Sequence, residues 1–193
     1  MSLLRAFIAI EIPDSILDAI QKETAALQRA VGAAVRWVPC SNLHLTLKFL
    51  GDVSPANLDL LTQMLAAEAA AHRPFDLQVG GLGSFPTPRR PRVIWIGLSA
   101  PAALESLQRG IEAASARLGY AAEDKPFSPH LTIGRVKQQA ASVELQAIRA
   151  ALEKTQIGDL GAARVEAVHL FKSDLRPSGA EYTRLFSAPL GAT

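Results

Sequence analysis

His44 and His130 each open the same short pattern, His-Leu-Thr-Leu at residues 44 to 47 and His-Leu-Thr-Ile at 130 to 133. In an extended strand, residues two apart share a face, so each histidine points the same way as its threonine while the aliphatic residues point the other way. A single histidine on a half-buried strand is usually a structural residue with its hydrogen bonds satisfied. Two copies of one pattern argue for a shared purpose. Imidazole's ordinary pKa of about 6.5 lets one ring be neutral and another protonated near neutral pH. One ring then takes a proton while the other gives one. That pairing suits in-line displacement at a phosphodiester, where a base activates water and an acid protonates the departing oxygen on the far side of phosphorus. The hydroxyls of Thr46 and Thr132 would hydrogen-bond the non-bridging oxygens, where negative charge must be held. No metal is needed in this scheme.

Other chemistries find less support. Cys40 is the only cysteine, which rules out an intramolecular disulfide and a cysteine-based zinc site. It also lacks the signs of an activated nucleophile. Four histidines are present, but neither Thr-containing motif is accompanied by carboxylates or by a His-Glu-x-x-His pair. His72, near a helix end, and His169, within AVHLF, read as structural. There is no G-x-S-x-G elbow, P-loop or dinucleotide fingerprint. No cofactor is expected.

The elements that must position these residues follow from periodicity. The chain has 193 residues, 49% of them apolar, and a formal charge of +2, which describes a folded globular protein and leaves the partner open. LLRAFIAIEI reads as a first strand at about 3 to 12 and not as a signal peptide. No apolar run approaches the roughly 20 residues of a membrane span, and the lone cysteine fits a reducing cytoplasm. Ile16, Leu17, Ile20, Leu27 and Val31 recur at helical spacing from Asp14 to Val31, with Gly32 placed to end the helix. The strand LHLTLKFL follows. Ser54 and Pro55 form an N-cap and N1 pair opening a second helix to about Ala71. Further elements are a strand near FDLQVGGLGSF, a strand at RVIWIGL, a helix at 102 to 118, the strand HLTIGRV, a helix at 142 to 155 and a strand at ARVEAVHLF. The order strand, helix, His-Leu-Thr strand, helix, strand thus occurs twice. PTPRRP, residues 86 to 91, is the expected crossing between the halves, and EYTRLFSAPL is a closing strand after a turn at Pro177 to Gly179.

Together these segments resemble the 2H phosphoesterases and, within them, the RNA 2',3'-cyclic phosphodiesterases formerly called 2'-5' RNA ligases. RAFIAIEIP, RWVPCSNLHLTLKFLG, PRVIWIGL, FSPHLTIGR and HLFKSDLRPSGAEYTRL look like the family's blocks in the family's order, covering nearly the whole chain. The resemblance implies an α+β fold over residues 1 to 193, a single bilobal domain whose two pseudo-twofold-related lobes line a central cleft with antiparallel sheets. It implies hydrolysis of an RNA-terminal 2',3'-cyclic phosphate to a 2'-phosphomonoester without a metal, and the reverse 2'-5' joining reaction. His44 would be the proton donor to the leaving 3'-oxygen and His130 the acceptor that activates water. Thr46 and Thr132 would bind phosphate. The implied partners are RNA ends or small nucleotides carrying the cyclic phosphate, with no membrane and no obligatory protein partner.

The far end of each motif is less simple. The family places an arginine five residues after its second histidine, here Arg135, yet a regular strand would turn that position away from His130. A bulge at Gly134 would re-aim it. The matching position after His44 is Phe49, so Arg135 is a candidate phosphate clamp and Phe49 a candidate stacking surface, against the alternatives of a solvated strand end and a core residue. Lys48 shares parity with His44, facing either the cleft or the rim. Arg89, Arg90 and Arg92 form a basic loop that either tracks RNA or is a solvated turn. Trp37 and Trp95 fit strand cores as well as stacking platforms. Two alternatives to the leading function stay open, a related enzyme acting on small cyclic nucleotides or ADP-ribose 1'',2''-cyclic phosphate, and a non-catalytic module that binds RNA ends.

Overall fold

The computed structural model describes residues 2–99, 101–176 and 179–191. Over these residues its elements are nine strands and four α-helices: β1 (Leu4–Glu11), α1 (Asp14–Val31), β2 (Val35–Trp37), β3 (His44–Val53), α2 (Leu58–Ala70), β4 (Phe75–Thr87), β5 (Arg90–Leu98), α3 (Ala102–Arg117), β6 (His130–Val136), α4 (Ser142–Lys154), β7 (Asp159–Val165), β8 (Ala167–Arg176) and β9 (Gly179–Pro189). The strands form two antiparallel sheets. One has the order β3-β1-β8-β9 and the other β2-β6-β5-β4-β7.

The first helix forms over the residues its periodicity marks out. Ile16, Ile20, Thr24, Leu27 and Val31 make its buried stripe, and Gly32, at φ 62°, takes the left-handed conformation that ends it. The second helix begins later than the Ser54-Pro55 signal suggests. Ser54 accepts from the Ala56 N–H at 3.4 Å, but Pro55–Asn57 is a 3-10 turn and the α-helix starts at Leu58. β1 is apolar and buried from Ala6 to Ile10 because both of its faces are covered there. Ala6, Ile8 and Ile10 enter the main core, while Phe7 and Ala9 form a small second cluster with Phe171 on the opposite face. Burying each isoleucine contributes roughly 1.5–3 kcal/mol.

The two lobes exchange helices. α1 follows a strand of the first sheet yet packs on α4 and β7 of the other lobe, and α3 follows β5 of the second sheet yet packs on α2 and β3. The chain therefore crosses between lobes repeatedly, and PTPRRP is not the crossing. It is the far end of the β4–β5 hairpin, within one sheet. Pro86 and Pro91 face each other in the β4–β5 pair but lie beyond the stretches that pair with β7 and β6, where a missing N–H costs no bond to a third strand. ARVEAVHLF, expected as one strand, is two: β7 joins β4, the chain passes exposed Glu166, and β8 joins β1. Its apolar alternation slips by one residue there, which is where the strand changes sheets. The closing strand is β9. Most of the turn expected at Pro177 to Gly179 lies outside the described residues.

Among the described residues no helix is long and apolar enough to cross a membrane.

Candidate active site

β3 and β6 belong to different sheets but lie against each other between the lobes. Their first seven residues have one burial pattern, half-buried, buried, half-buried, buried, buried, exposed, buried. That pattern departs from strict alternation because each strand carries a bulge. In the β1–β3 ladder Ile8 pairs with Lys48 and Ala9 with Thr46, leaving Leu47 over. In the β5–β6 ladder Ile94 pairs with Gly134 and Trp95 with Thr132, leaving Ile133 over. One extra residue shifts the alternation by one. The fifth residue past each histidine thereby returns to the histidine's face, so Phe49 joins His44 and Thr46, and Arg135 joins His130 and Thr132. The extra residue is Ile133, one before the glycine at which the sequence suggested it.

The same bulge removes Lys48 from the cleft, against the parity expected from the sequence. The residue is 1% exposed, and its ammonium donates to Glu112 Oε1 on α3 at 2.6 Å and to the Ala121 carbonyl. Glu112 Oε1 also accepts the Glu123 N–H at 3.0 Å. One ion pair thus ties the strand carrying His44 to the loop that leads into His130. The matching position on β6 is Gly134, where a Cβ would come within 2.7 Å of Val35 and 2.9 Å of Trp37.

The two histidines are held alike. Nδ1 of His44 lies 2.8 Å from the Asn42 carbonyl, and Nδ1 of His130 lies 2.7 Å from the Ser128 carbonyl, two residues upstream in each case. A carbonyl only accepts, so each Nδ1 carries the proton and donates it. Nε2 is left on both rings to exchange a proton. His44 stacks on Phe7 at 4.8 Å and meets Tyr182 edge-on at 5.1 Å, while His130 meets Phe85 edge-on at 5.0 Å. These aromatic supports were not singled out in the sequence, although Phe7 and Tyr182 stand in quoted blocks. They come from strands distant in sequence, and only the ladders reveal the shared face.

Burial is the main force holding His44 below its ordinary pKa; the bond to Asn42 works against it, and the charge of Arg135 works with it. Burial raises the Tyr182 hydroxyl, opposed by the same arginine. Arg135 is therefore felt at two groups of the opposite sheet. Phe49 is 57% exposed and is not a core residue. Arg89, Arg90 and Arg92 lie exposed at and beside the hairpin tip, and Trp95 lies half-buried against Phe85 at 5.3 Å. Trp37 is half-buried beside Gly134.

The remaining candidates lie elsewhere or play other parts. His72 bonds the Glu68 carbonyl and Ser106, joining α2 to α3. His169 is buried on the cleft face of the first sheet, its Nε2 3.5 Å from Glu11, and burial pushes its pKa down. Burial and then Asp18 push the Cys40 thiol up, away from the thiolate. Among the described residues, no three His, Cys, Asp or Glu side chains group as a metal-ligand set.

The chain matches the family model of the 2'-5' RNA ligase superfamily over residues 12–177. It is 33% identical over 180 residues to an RNA 2',3'-cyclic phosphodiesterase of Methanothermobacter thermautotrophicus, covering 93% of this chain and 95% of that one. A protein of the same name from Archaeoglobus fulgidus is 32% identical over 182 residues, with 94% and 98% covered. Among solved structures, E. coli LigT complexed with 3'-AMP is 27% identical with a TM-score of 0.77, covering 97% of this chain and 98% of that one. A protein of Thermus thermophilus reaches a TM-score of 0.81 at 28% identity, with 98% and 100% covered. With two bulged His-Leu-Thr strands meeting between exchanged lobes, and relatives matched along nearly their whole length, this chain belongs to the 2'-5' RNA ligase superfamily.

Proposed function

We propose that this protein hydrolyses the 2',3'-cyclic phosphate at an RNA end to a 2'-phosphomonoester and a free 3'-hydroxyl, acting as one two-lobed unit. The observation that carries the reading is the matched anchoring of both Nδ1 atoms to backbone carbonyls, which leaves two Nε2 atoms for acid and base. Relatives at 32–33% identity carry that activity in their names. Nε2 of His130 takes a proton from water as its oxygen bonds to phosphorus. The bond from phosphorus to the 3'-oxygen breaks, and Nε2 of His44 supplies the proton that oxygen needs. This division of roles follows the family. Thr46 and Thr132 hold the non-bridging oxygens, Arg135 adds its charge to the phosphate, and Phe49 offers a face to the terminal base. No metal enters the scheme, and the lone cysteine fits work in a reducing cytoplasm.

Incubating the protein with an oligonucleotide ending in 2',3'-cyclic phosphate, in EDTA, should yield the 2'-phosphate as sole product. Exclusive turnover of ADP-ribose 1'',2''-cyclic phosphate, or tight binding of the RNA end without turnover at any pH, would overturn the reading.

A pH dependence follows. A proton donor must be charged, and burial holds His44 below 6.5, so kcat/KM should decline through an alkaline limb lying below pH 6.5. Arg135→Gln removes one cause of the lowering, so its limb should move to higher pH while KM rises. A limb that stays in place in this variant would separate Arg135 from His44.

A further inference from the structure

Beside His44 a cavity of about 220 Å³, with no residue of β6 in its lining, opens between β1, β8, β9 and the turn before β3. Tyr182 and Phe171 form its apolar flank, and Asn42, Glu11 and Arg184 its polar one. Arg184 is held by Glu11, with Nη1 2.8 Å from Oε2, and remains 51% exposed. A guanidinium has five N–H donors, so the grip of one carboxylate oxygen leaves donors for an anion. The Asn42 side chain spends an N–H on the Ala180 carbonyl at 2.8 Å and keeps its oxygen free to accept. The volume falls short of the roughly 300–1,000 Å³ of pockets that enclose a whole ligand. It suits one unit of a longer chain.

We infer that this cavity receives the nucleotide immediately 5' of the cyclic end, with Arg184 on the phosphodiester that joins the last two nucleotides. The inference rests on the proposed reaction. If His44 protonates the leaving 3'-oxygen, the terminal ribose lies on the His44 side of phosphorus and the attacking water on the His130 side. The RNA chain continues from that ribose, so it leaves the site along the sheet that carries His44. Arg184 then meets a diester charge, Tyr182 and Phe171 flank a base, and Asn42 and Glu11 accept from its amino groups or from a 2'-hydroxyl. A substrate of this class is an RNA chain, not a lone cyclic mononucleotide.

The test compares kcat/KM on adenosine 2',3'-cyclic phosphate with that on a dinucleotide ending in the same group. The wild-type protein should prefer the dinucleotide by about tenfold or more, the effect of one charge-assisted contact. Arg184→Ala should collapse that ratio, and Arg184→Lys should restore part of it. A dinucleotide with an uncharged methylphosphonate linkage should lose the preference in the wild-type protein, a readout independent of how any variant folds. Equal turnover of mono- and dinucleotide, or a ratio that Arg184→Ala leaves intact, would overturn the inference. Failure to hydrolyse either substrate would instead overturn the proposed reaction.

Discussion

Replacing His44 and His130 together by alanine should lower kcat/KM on cyclic-phosphate RNA by about 10⁴-fold or more, and either single change should cost most of that loss. Positioned acid or base catalysis contributes about 10²–10⁴-fold each, and groups acting in one step are far from additive, since the step fails when either is missing. Thr46, Thr132 and Arg135 would survive the double change, so substrate binding should persist and KM should move little. His44→Ala also deletes a ring stacked on Phe7 at 4.8 Å and edged by Tyr182 at 5.1 Å, so part of its effect is lost packing. His44→Gln keeps more of that volume and separates the two causes. Initial rates on a defined oligonucleotide, with thermal melting as the control for folding, make the measurement. Activity of the folded double variant within tenfold of wild type would remove the pair from the mechanism.

Lys48→Met should destabilise the fold by about 3 kcal/mol, and it should do so by abandoning Glu112. Taking one member from a buried ion pair costs about 3–5 kcal/mol because the remaining charge is uncompensated. The lower end applies here, since Lys48 is fully buried but Glu112 keeps 21% exposure and can reach water. Glu112 Oε2 already has no partner among the described residues, so within the protein the abandoned carboxylate keeps only the Glu123 N–H. Adding Glu112→Leu to Lys48→Met should recover much of the loss, as apolar replacement of a whole buried pair is often neutral or better. Urea unfolding of the two variants makes the comparison. A Lys48→Met protein within about 1 kcal/mol of wild type would show that the pair does not hold the strand to the loop.

The amphipathic helices and the strand at the start were legible in the sequence because each is set by local spacing. Ile16 to Val31 repeat at helical period, and Gly32 supplies the only residue type at ease where the helix turns left-handed. The His-Leu-Thr pairs were legible for the same reason, since two residues of a strand declare a common face. What the sequence hid are features settled by pairing. The bulge at Leu47 has no local signature, and the one at Ile133 was betrayed only by the glycine after it; together they decide that Lys48 points into the protein while Phe49 and Arg135 point into the cleft. At Glu166 a one-residue slip in the apolar alternation is the only local sign that one apparent strand passes from sheet to sheet. PTPRRP has a linker's composition and a hairpin's place. Phe7, Phe85 and Tyr182 touch the histidines only because strands remote in the chain were brought alongside.

The exchange of helices bears on how the cleft can select its substrate. To swing the lobes apart, α1 would have to be pulled from β7 and α4, and α3 from β3 and α2, against connections of a few residues back to the opposite sheet. The two sheets are laced together like crossed forearms, and the gap between His44 and His130 is gauged by that lacing. Such a site measures its substrate as a caliper does, by a fixed span. A strained five-membered cyclic phosphate is a compact object to place in such a span.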